Sequence, residues 1–453
     1  MNILKNLKSN GAYFGLCLVG AVLYTRPAAA EVVLVEKDGW RFTFDGRVNA
    51  FLSVGKGDDF PKPTPNPTGF AHEVMGSNHL AKVPGIGWKS SEVADENNHY
   101  FAARVRSGMV GNVLGFGITK DLTPNTQIKG YISIWSTIET EGRDKWAPVI
   151  PQAHEGYFSV TGPWGSATIG RTFGWFGRMS EEIDMRYGHG YGVGLPCTDE
   201  LGPACGHTGT GVIYPGYSAG FSYSTPSLGG LQLHAGLYDP IVYAPDWKRA
   251  PMLRPEGAAT FEVKLGGGGL LKLAAEGLYQ PLARLDDATK TDQKTAAWGG
   301  SGGARLEVGP VRLGASFFKG KGVGITYALQ ATPATLDATT HELRTSSGFY
   351  GQAALMLGKL HLAAGAGVGA VDQLASDRAN TGLSMIQRQI GVSAAAYYHV
   401  SDSVVLGLDY FRFMARWYGA PVSDATGALS GTTLLPGEKQ DLNFINAGVT
   451  YHW

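Results

Sequence analysis

Beyond its first thirty residues, the chain lacks any apolar run of 18 residues. A transmembrane helix needs about 20 predominantly apolar residues in succession, so this absence excludes a helical membrane protein. The 453 residues also contain no linker, charge block or composition shift that would divide them into domains. We therefore expect one large, repetitive structure rather than two or three soluble domains.

The chain also carries little net charge. The chain has 38 Lys and Arg against 38 Asp and Glu, and three of the basic residues, Lys5, Lys8 and Arg26, lie in the first thirty positions. Without those three, the remaining chain carries a net charge of about −3. A near-neutral chain has no electrostatic reason to bind nucleic acid, so we expect no nucleic acid as a partner.

Cysteines are few, and two of the three, Cys197 and Cys205, lie beyond residue 30. Such a pair suits an oxidising compartment and would close a small loop as a disulfide, the alternative being two free thiols. Metal-ligand spacing is missing around His189 and His207, and the acids Asp58 and Asp59 stand as a lone pair. We therefore expect no cofactor and no metal site, the alternative being a structural cation bound in a loop.

The first thirty residues have the features of a secretory signal peptide. Lys5 and Lys8 precede an apolar run over 12–24, and a small-residue stretch ends at Ala30. Cleavage after Ala30 would leave Glu31 as the first mature residue. We expect residues 1–30 to be the signal peptide and 31–453 to be a single domain.

Glycine and a period of two dominate what remains. Glycine makes up 65 of the 453 residues, about twice its usual share of roughly 7%. Apolar residues occupy the even positions from Trp40 to Val54, while Arg47, Asn49 and Ser53 lie among the polar odd ones. This alternation predicts a β-strand with one apolar and one polar face, longer than the usual 5 to 6 residues.

Short and long connections alternate strictly along the chain, which predicts sixteen strands. Seven short turns are predicted at 121–125, 162–165, 226–230, 266–269, 309–310, 358–359 and 401–403. Eight longer polar stretches lie at about 56–99, 141–152, 174–217, 240–256, 282–297, 321–344, 372–386 and 418–440. An even number of strands lets the first and last pair, so we predict an all-β, antiparallel, up-and-down transmembrane barrel.

A barrel of sixteen strands is too wide for its own side chains to fill, so it leaves an aqueous lumen. The polar faces of the strands are therefore expected to point inward, and the apolar faces to meet lipid. A soluble β-sandwich would need the opposite arrangement and strands nearer five residues. The period and the strand length together favour the membrane barrel.

At this point the chain resembles the Gram-negative general diffusion porins. The resemblance in layout spans residues 40–453 and is greatest locally over Tyr157–Arg171, which is similar to the family's strand, tight turn and strand before the constriction loop. The last strand is also similar, with alternating apolar residues up to the terminal Trp453, where the family usually ends in Phe.

This resemblance implies a sixteen-stranded homotrimer in the outer membrane of a Gram-negative bacterium, with long extracellular loops and short periplasmic turns. The third long loop would fold into the pore and narrow it. The implied partners are outer-membrane lipid and lipopolysaccharide, and the implied function is passive diffusion of small hydrophilic solutes through a water-filled channel. No reaction is needed for such a function, so no catalytic residue is expected.

The third long stretch, 174–217, is the candidate constriction loop, with an acidic cluster formed by Glu181, Glu182 and Asp184. Its alternative is a surface loop over the mouth of the pore. A basic wall is expected to face the cluster, formed by Arg47, Arg104, Arg106, Lys129 and Arg171. Simple alternation would place Arg171 on the face of Ile169, unless the strand ends before it or Gly170 permits a local twist.

Two other functions remain as alternatives. A substrate-specific channel, such as an eighteen-stranded sugar porin, would result if one hairpin were missed in the count, and a run of aromatic residues along the lumen would mark it. A barrel enzyme would bring Ser, His and acids together near a rim. The histidines are scattered along the sequence, and no nucleophile motif lies beside them.

Overall fold

We describe the fold from a computed structural model of the chain. It covers residues 31–58, 99–136, 138, 152–184, 192–196, 204–242, 247–248, 250, 252–286, 291–329, 335–337, 340–376, 386–418, 421–423, 429–434 and 439–453. The statements below concern these residues.

Sixteen wall strands form one closed antiparallel barrel within the described part of the chain, as predicted. In chain order they are β1 (Trp40–Asp58), β2 (His99–Arg106 and Asn112–Thr123), β3 (Thr126–Ser136), β4 (Gln152–Gly162), β5 (Gly165–Phe173), β6 (Tyr217–Ser224), β7 (Leu231–Tyr238), β8 (Arg254–Leu265), β9 (Gly269–Asp286), β10 (Thr291–Val308), β11 (Val311–Lys321), β12 (Thr345–Leu357), β13 (Leu360–Val371), β14 (Ile386–His399), β15 (Val404–Trp417) and β16 (Lys439–His452). Pairing of β1 with β16, from Arg47 opposite His452 to Gly57 opposite Leu442, closes the wall.

The interruption in β2 is held by one side chain of β1. Asn49 accepts a hydrogen bond from the backbone N–H of Gly108 at 2.6 Å, and its amide donates to the carbonyl of Val110 at 2.8 Å. These bonds satisfy backbone groups that leave the ladder where the strand breaks. Both halves of β2 therefore stay paired to β1.

Alternation along β1 produces the two faces predicted for it. Val48 and Leu52 expose about half of their surface on the outside, whereas Asn49 and Ser53 are buried on the inside. The period of two in the sequence thus becomes an apolar outer wall and a polar inner wall.

The seven predicted short turns all connect neighbouring wall strands at one end of the barrel. One long stretch is shorter than predicted, because β9 continues to Asp286 and β10 already begins at Thr291. The predicted loop over 282–297 was therefore mostly wrong. Leu282 and Ala297 are buried in the barrel interior, and polar neighbours had obscured their alternation in the sequence.

At the long-loop end the expected polarity of the two faces is reversed on β15 and β16. Phe411, Phe413 and Phe444 point inward and are buried in an apolar cluster. Outside them, Arg412 donates from Nε to Asp441 Oδ1 at 3.0 Å, and the Tyr410 hydroxyl donates to Asn443 at 2.6 Å. The predicted polar inner face and apolar outer face therefore do not extend to this end of β15 and β16, because inner apolar residues have protein to pack against here.

The remaining elements are short. Val32–Lys37 pairs with the start of β1, and Leu195–Pro196 pairs with Ala204–Gly206. Further strands cover Trp247–Lys248, Pro421–Ser423 and Leu429–Leu434, and the helices are a 3₁₀ turn at Gly266–Gly268 and α1, Arg178–Ile183. In the described part of the chain, no helix has both the length and the apolar character needed to cross a membrane.

Candidate pore constriction

The described residues of segment 174–217, which are 174–184, 192–196 and 204–217, lie inside the barrel, where α1 packs on the inner faces of β9, β10 and β11. The backbone N–H groups of Gly177 and Met179 donate to Glu276 on β9 at 3.0 and 2.7 Å. Glycines keep the wall flat here, because a Cβ at Gly299 would collide with Phe176 and one at Gly314 would press on Ile183. The third long loop therefore folds inward.

A second wall carboxylate holds the chain just before α1. Glu256 on β8 accepts hydrogen bonds from the N–H groups of Trp175 and Phe176 at 2.6 and 3.1 Å, and it also pairs with Arg254 at 2.7 Å. Glu256 and Glu276 thus satisfy four backbone donors at the start of the helix, where no intrahelical acceptor exists. We call these two residues the wall carboxylates.

The later part of the segment reaches the opposite side of the lumen. Val193 N–H donates to Asp409 on β15 at 3.1 Å, and Asn446 on β16 donates to the carbonyl of Gly194 at 3.3 Å. Farther on, Gly211 lies so close to the backbone of β12 and β13 that a Cβ would collide with the Phe349 carbonyl. The segment therefore crosses the lumen and contacts several walls.

A second inward loop, whose described residues are 322–329, 335–337 and 340–344, holds this segment in place. Tyr214 donates from its N–H to the Thr326 carbonyl and accepts from the Ala328 N–H, both at 2.9 Å. A buried ion pair joins Arg344 and Asp337 at 3.2 Å within the loop. Six apolar residues of this loop share one buried cluster with Phe176 and Ile213: Val323, Ile325, Ala328, Leu329, Leu336 and Leu343. We call residues 322–344 the latch loop.

The three predicted acids lie together in and beside α1, each in a different environment. Glu182 pairs with Lys272 on β9, and the carbonyl of Glu182 accepts from Arg305 on β10 at 3.3 Å. Asp184 is fully buried, accepts from the Tyr214 hydroxyl and lies 2.9 Å from His207 Nε2. Glu181 is buried as well.

Burial raises the pKa of Glu181 to about 8, and the neighbouring carboxylate of Glu182 adds to the increase. Burial alone would also raise the pKa of Glu182, but attraction to Lys272 outweighs it and holds that pKa below its usual value. Burial and the Asp184 carboxylate raise the pKa of the Tyr214 hydroxyl, which therefore stays protonated as a donor. Glu181 is therefore mainly neutral at pH 7.

Four of the five predicted basic residues lie on the inner wall, on β1, β2 and β3. Arg47 and Arg106 are buried there, Arg104 is half-buried, and Lys129 lies 3.3 Å from Glu31. Arg171 is placed differently: it is exposed, shares the outward face of Ile169, and donates from Nε to the His154 carbonyl at 3.0 Å. Gly170 has a φ of 130°, yet the outward alternation continues through it.

The acids contact a different part of the wall from the one that carries these basic residues. Their partners Lys272 and Arg305, together with the wall carboxylates, were missed by sequence reasoning. In the sequence, the inward polar residues on β8 to β10 cannot be distinguished from solvated lumen residues. Alternation alone therefore could not predict that they bind the inward segment. Cys197 and the side chain of Cys205 lie outside the described residues, and their disulfide stays a prediction.

A family model for Gram-negative porins matches residues 17–453. The chain belongs to the Gram-negative porin family. Among solved structures, the outer membrane channel DcaP of Acinetobacter baumannii is similar to this porin with a TM-score of 0.58, at 13% identity, over 92% of this chain and 99% of that one. The anion-selective porin from Comamonas acidovorans is similar with a TM-score of 0.55, at 12% identity, over 91% of this chain and all of that one. No curated protein is a significant match.

At such identities the likeness to solved structures shows the fold, and the family match shows the function: this porin is an outer-membrane channel for passive diffusion. The sixteen-stranded wall agrees with the predicted count and not with the eighteen strands of a sugar porin.

Proposed function

We propose that this porin passes small hydrophilic solutes and ions between the polar inner wall of β1 to β4 and the inward segment 174–217. The observation that carries this proposal is the asymmetry of the lumen. Apolar packing joins the inward loops to β9–β16, whereas the inner faces of β1, β3 and β4 carry polar residues, including Asp45, Ser133 and Glu155. A polar solute keeps hydrogen-bond partners along the polar side. Neither a reaction nor a cofactor takes part.

Arg47, Arg104, Arg106 and Lys129 supply the basic side of this passage, and the acidic cluster of α1 supplies the other. Fixed charges of opposite sign across a narrow, partly desolvated waist change the free energy of a passing ion by more than thermal energy. Charges in a wide vestibule are screened within about 8 to 10 Å at physiological salt. Position along the pore therefore decides which charges set ion selectivity.

Purified protein is expected to insert into planar bilayers and to give discrete conductance steps. The R104S/R106S variant should shift the reversal potential in a salt gradient toward cations, because it removes positive charge from the waist. R171S is the matched control, since Arg171 lies on the outward face, and its reversal potential should equal that of the wild type. Folded protein without conductance would refute the channel. An unchanged reversal potential in R104S/R106S would show that these arginines do not line the narrowest part of the pore.

Ion selectivity should depend on pH through Glu181. Its pKa is raised above the ordinary 4.5 to about 8, so its contribution to folding is full below about pH 4.5 and is lost as the pH rises through 8. Above pH 8 a new negative charge appears beside Glu182 and Asp184, and the reversal potential should move toward cations. E181Q should abolish this step, whereas E262Q, which changes an exposed acid near the short-turn rim, should keep it.

The signal-peptide pattern of residues 1–30 and the resemblance to trimeric porins support a proposal for export and assembly: residues 1–30 are removed, and three copies associate. Native mass spectrometry in a mild detergent tests both at once. The expected mass is three times that of a chain that begins at Glu31. A mass that includes residues 1–30 would contradict the cleavage, and a single-chain mass would contradict the trimer.

A further inference from the structure

Three histidines that are far apart in the sequence meet at the short-turn end of the lumen. His361 lies at the start of β13, His399 at the end of β14 and His452 at the end of β16. Each alternates with an exposed outward neighbour, Leu362, Tyr398 and Tyr451 respectively, so all three imidazoles belong to the inner face. The strand register therefore brings together three histidines that are scattered in the sequence.

Two of these rings are in direct contact. His361 Nδ1 lies 3.0 Å from His399 Nε2, and the ring centroids are 4.2 Å apart. The backbone holds this geometry, because the N–H of His399 at the end of β14 donates at 2.8 Å to the carbonyl of Lys359 in the β12–β13 turn. Both side chains are only half-buried, so solutes in the lumen can reach them.

The third histidine has a ring nitrogen that makes no hydrogen bond. His452 is 6% exposed, and its Nε2 is buried without a hydrogen-bond partner. It lies near enough to His399 for the two rings to interact electrostatically, and Asp402 acts on both of them. The positive charges nearby are Arg312 beside His361 and Arg47 beside His452.

We propose that His361 and His399 form a binding site for a divalent transition-metal ion at the short-turn mouth of the pore. Imidazole nitrogen is a preferred ligand of Cu²⁺, Zn²⁺ and Ni²⁺. Metal–nitrogen bonds of about 2.0 to 2.1 Å place two nitrogens on one ion roughly 3 Å apart. The separation of 3.0 Å between His361 Nδ1 and His399 Nε2 fits this requirement.

The protein supplies two ligands to the metal ion, one from His361 and one from His399. Within the described ranges, no three His, Cys, Asp or Glu side chains already stand in ligating geometry, so water completes the coordination shell and His452 joins only by turning its ring. Both ligating nitrogens must be unprotonated. Two neutral rings meet this condition by moving their single protons to His361 Nε2 and His399 Nδ1, without any net release of protons.

Calorimetric titration of tag-free, EDTA-treated porin with CuCl₂ and with ZnCl₂ at pH 7.5 tests the site. We expect one ion per chain, with Cu²⁺ bound more tightly than Zn²⁺. H361A and H399A should each weaken binding by at least about tenfold, and the milder variants H361N and H399N should do the same. H234A is the matched control, because His234 also lies in the lumen but bonds to Ser224 and Thr260 at 2.8 and 3.1 Å.

The absence of saturable binding to the wild type would overturn the proposal. Unchanged affinity in H361N and H399N would overturn it as well, since binding would then occur elsewhere. In bilayers, the metal should alter conductance when it is added on the side of the short turns, and the same addition to H399N should have no effect. An equal response of wild type and H399N would also contradict the site.

Discussion

Removal of both wall carboxylates should open the pore. In E256A/E276A, the backbone N–H groups of Trp175, Phe176, Gly177 and Met179 lose their acceptors on the barrel wall. Each buried donor left without a partner costs about 1 to 3 kcal/mol, so α1 should detach from β9 and become a mobile segment that no longer holds the constriction. We expect a higher and noisier single-channel conductance, measured in planar bilayers.

Isosteric variants distinguish the effect of losing the negative charge from the effect of losing side-chain volume. E256Q/E276Q keeps the size of each side chain but leaves one acceptor oxygen in place of two, and we expect an intermediate effect. E307Q is the control, because Glu307 is an acid of β10 that pairs with Arg305 and Arg312 rather than with the backbone before α1. Wild-type conductance in folded E256A/E276A would show that the wall carboxylates do not set the pore width.

Loss of the latch loop should have the second large effect. The N–H of Gly322 donates to the carbonyl of Arg344 at 2.8 Å, so residues 323–343 can be replaced by Asn-Gly as a two-residue hairpin turn. This change removes the two hydrogen bonds to Tyr214 and the apolar cover of Phe176 and Ile213. We expect higher conductance and faster proteolytic cleavage within segment 174–217.

A point variant probes the latch loop without shortening the chain. R344A leaves Asp337 as a buried charge without its cation, and breaking a buried pair in this way costs about 3 to 5 kcal/mol. The matched control is R412A, which removes an Arg–Asp pair on the outer face, where solvent screens the interaction and the pair adds little to stability. Equal conductance and equal protease resistance in R344A and R412A would show that the latch loop does not fasten the segment.

The wall of this porin could be predicted from its sequence because alternation and turn residues act locally. Sixteen strands, seven short turns and the inward faces of Arg104 and Arg106 all follow from a period of two. Alternation indicates only whether a side chain points to the inside or the outside of the barrel. It does not state what lies on the inner side, so the latch loop could not be predicted.

The constriction was predicted only in part, for a related reason. The acids of segment 174–217 were found from composition, but their partners are set by how that segment lies across the barrel. Lys272 and Glu276 face inward, as a period of two requires, yet nothing local distinguishes them from solvated lumen residues. Phe411 and Phe444 belong to the inner face by alternation, where polar residues were expected, and their burial depends on inner packing that the sequence of β15 and β16 does not encode.

The reversed polarity at the long-loop end also fixes how deep the barrel sits in its membrane. On the outer face of β16 the apolar residues run from Trp453 to Ile445, and Asn443 and Asp441 follow them. Eight residue steps of about 3.4 Å give roughly 27 Å along the strand, and a strand tilt of about 40° reduces this to roughly 21 Å of height. This height is close to the apolar band of about 25 Å usual for such barrels. Asn443 and Asp441 therefore mark the boundary of the lipid-facing wall on the side of the long loops.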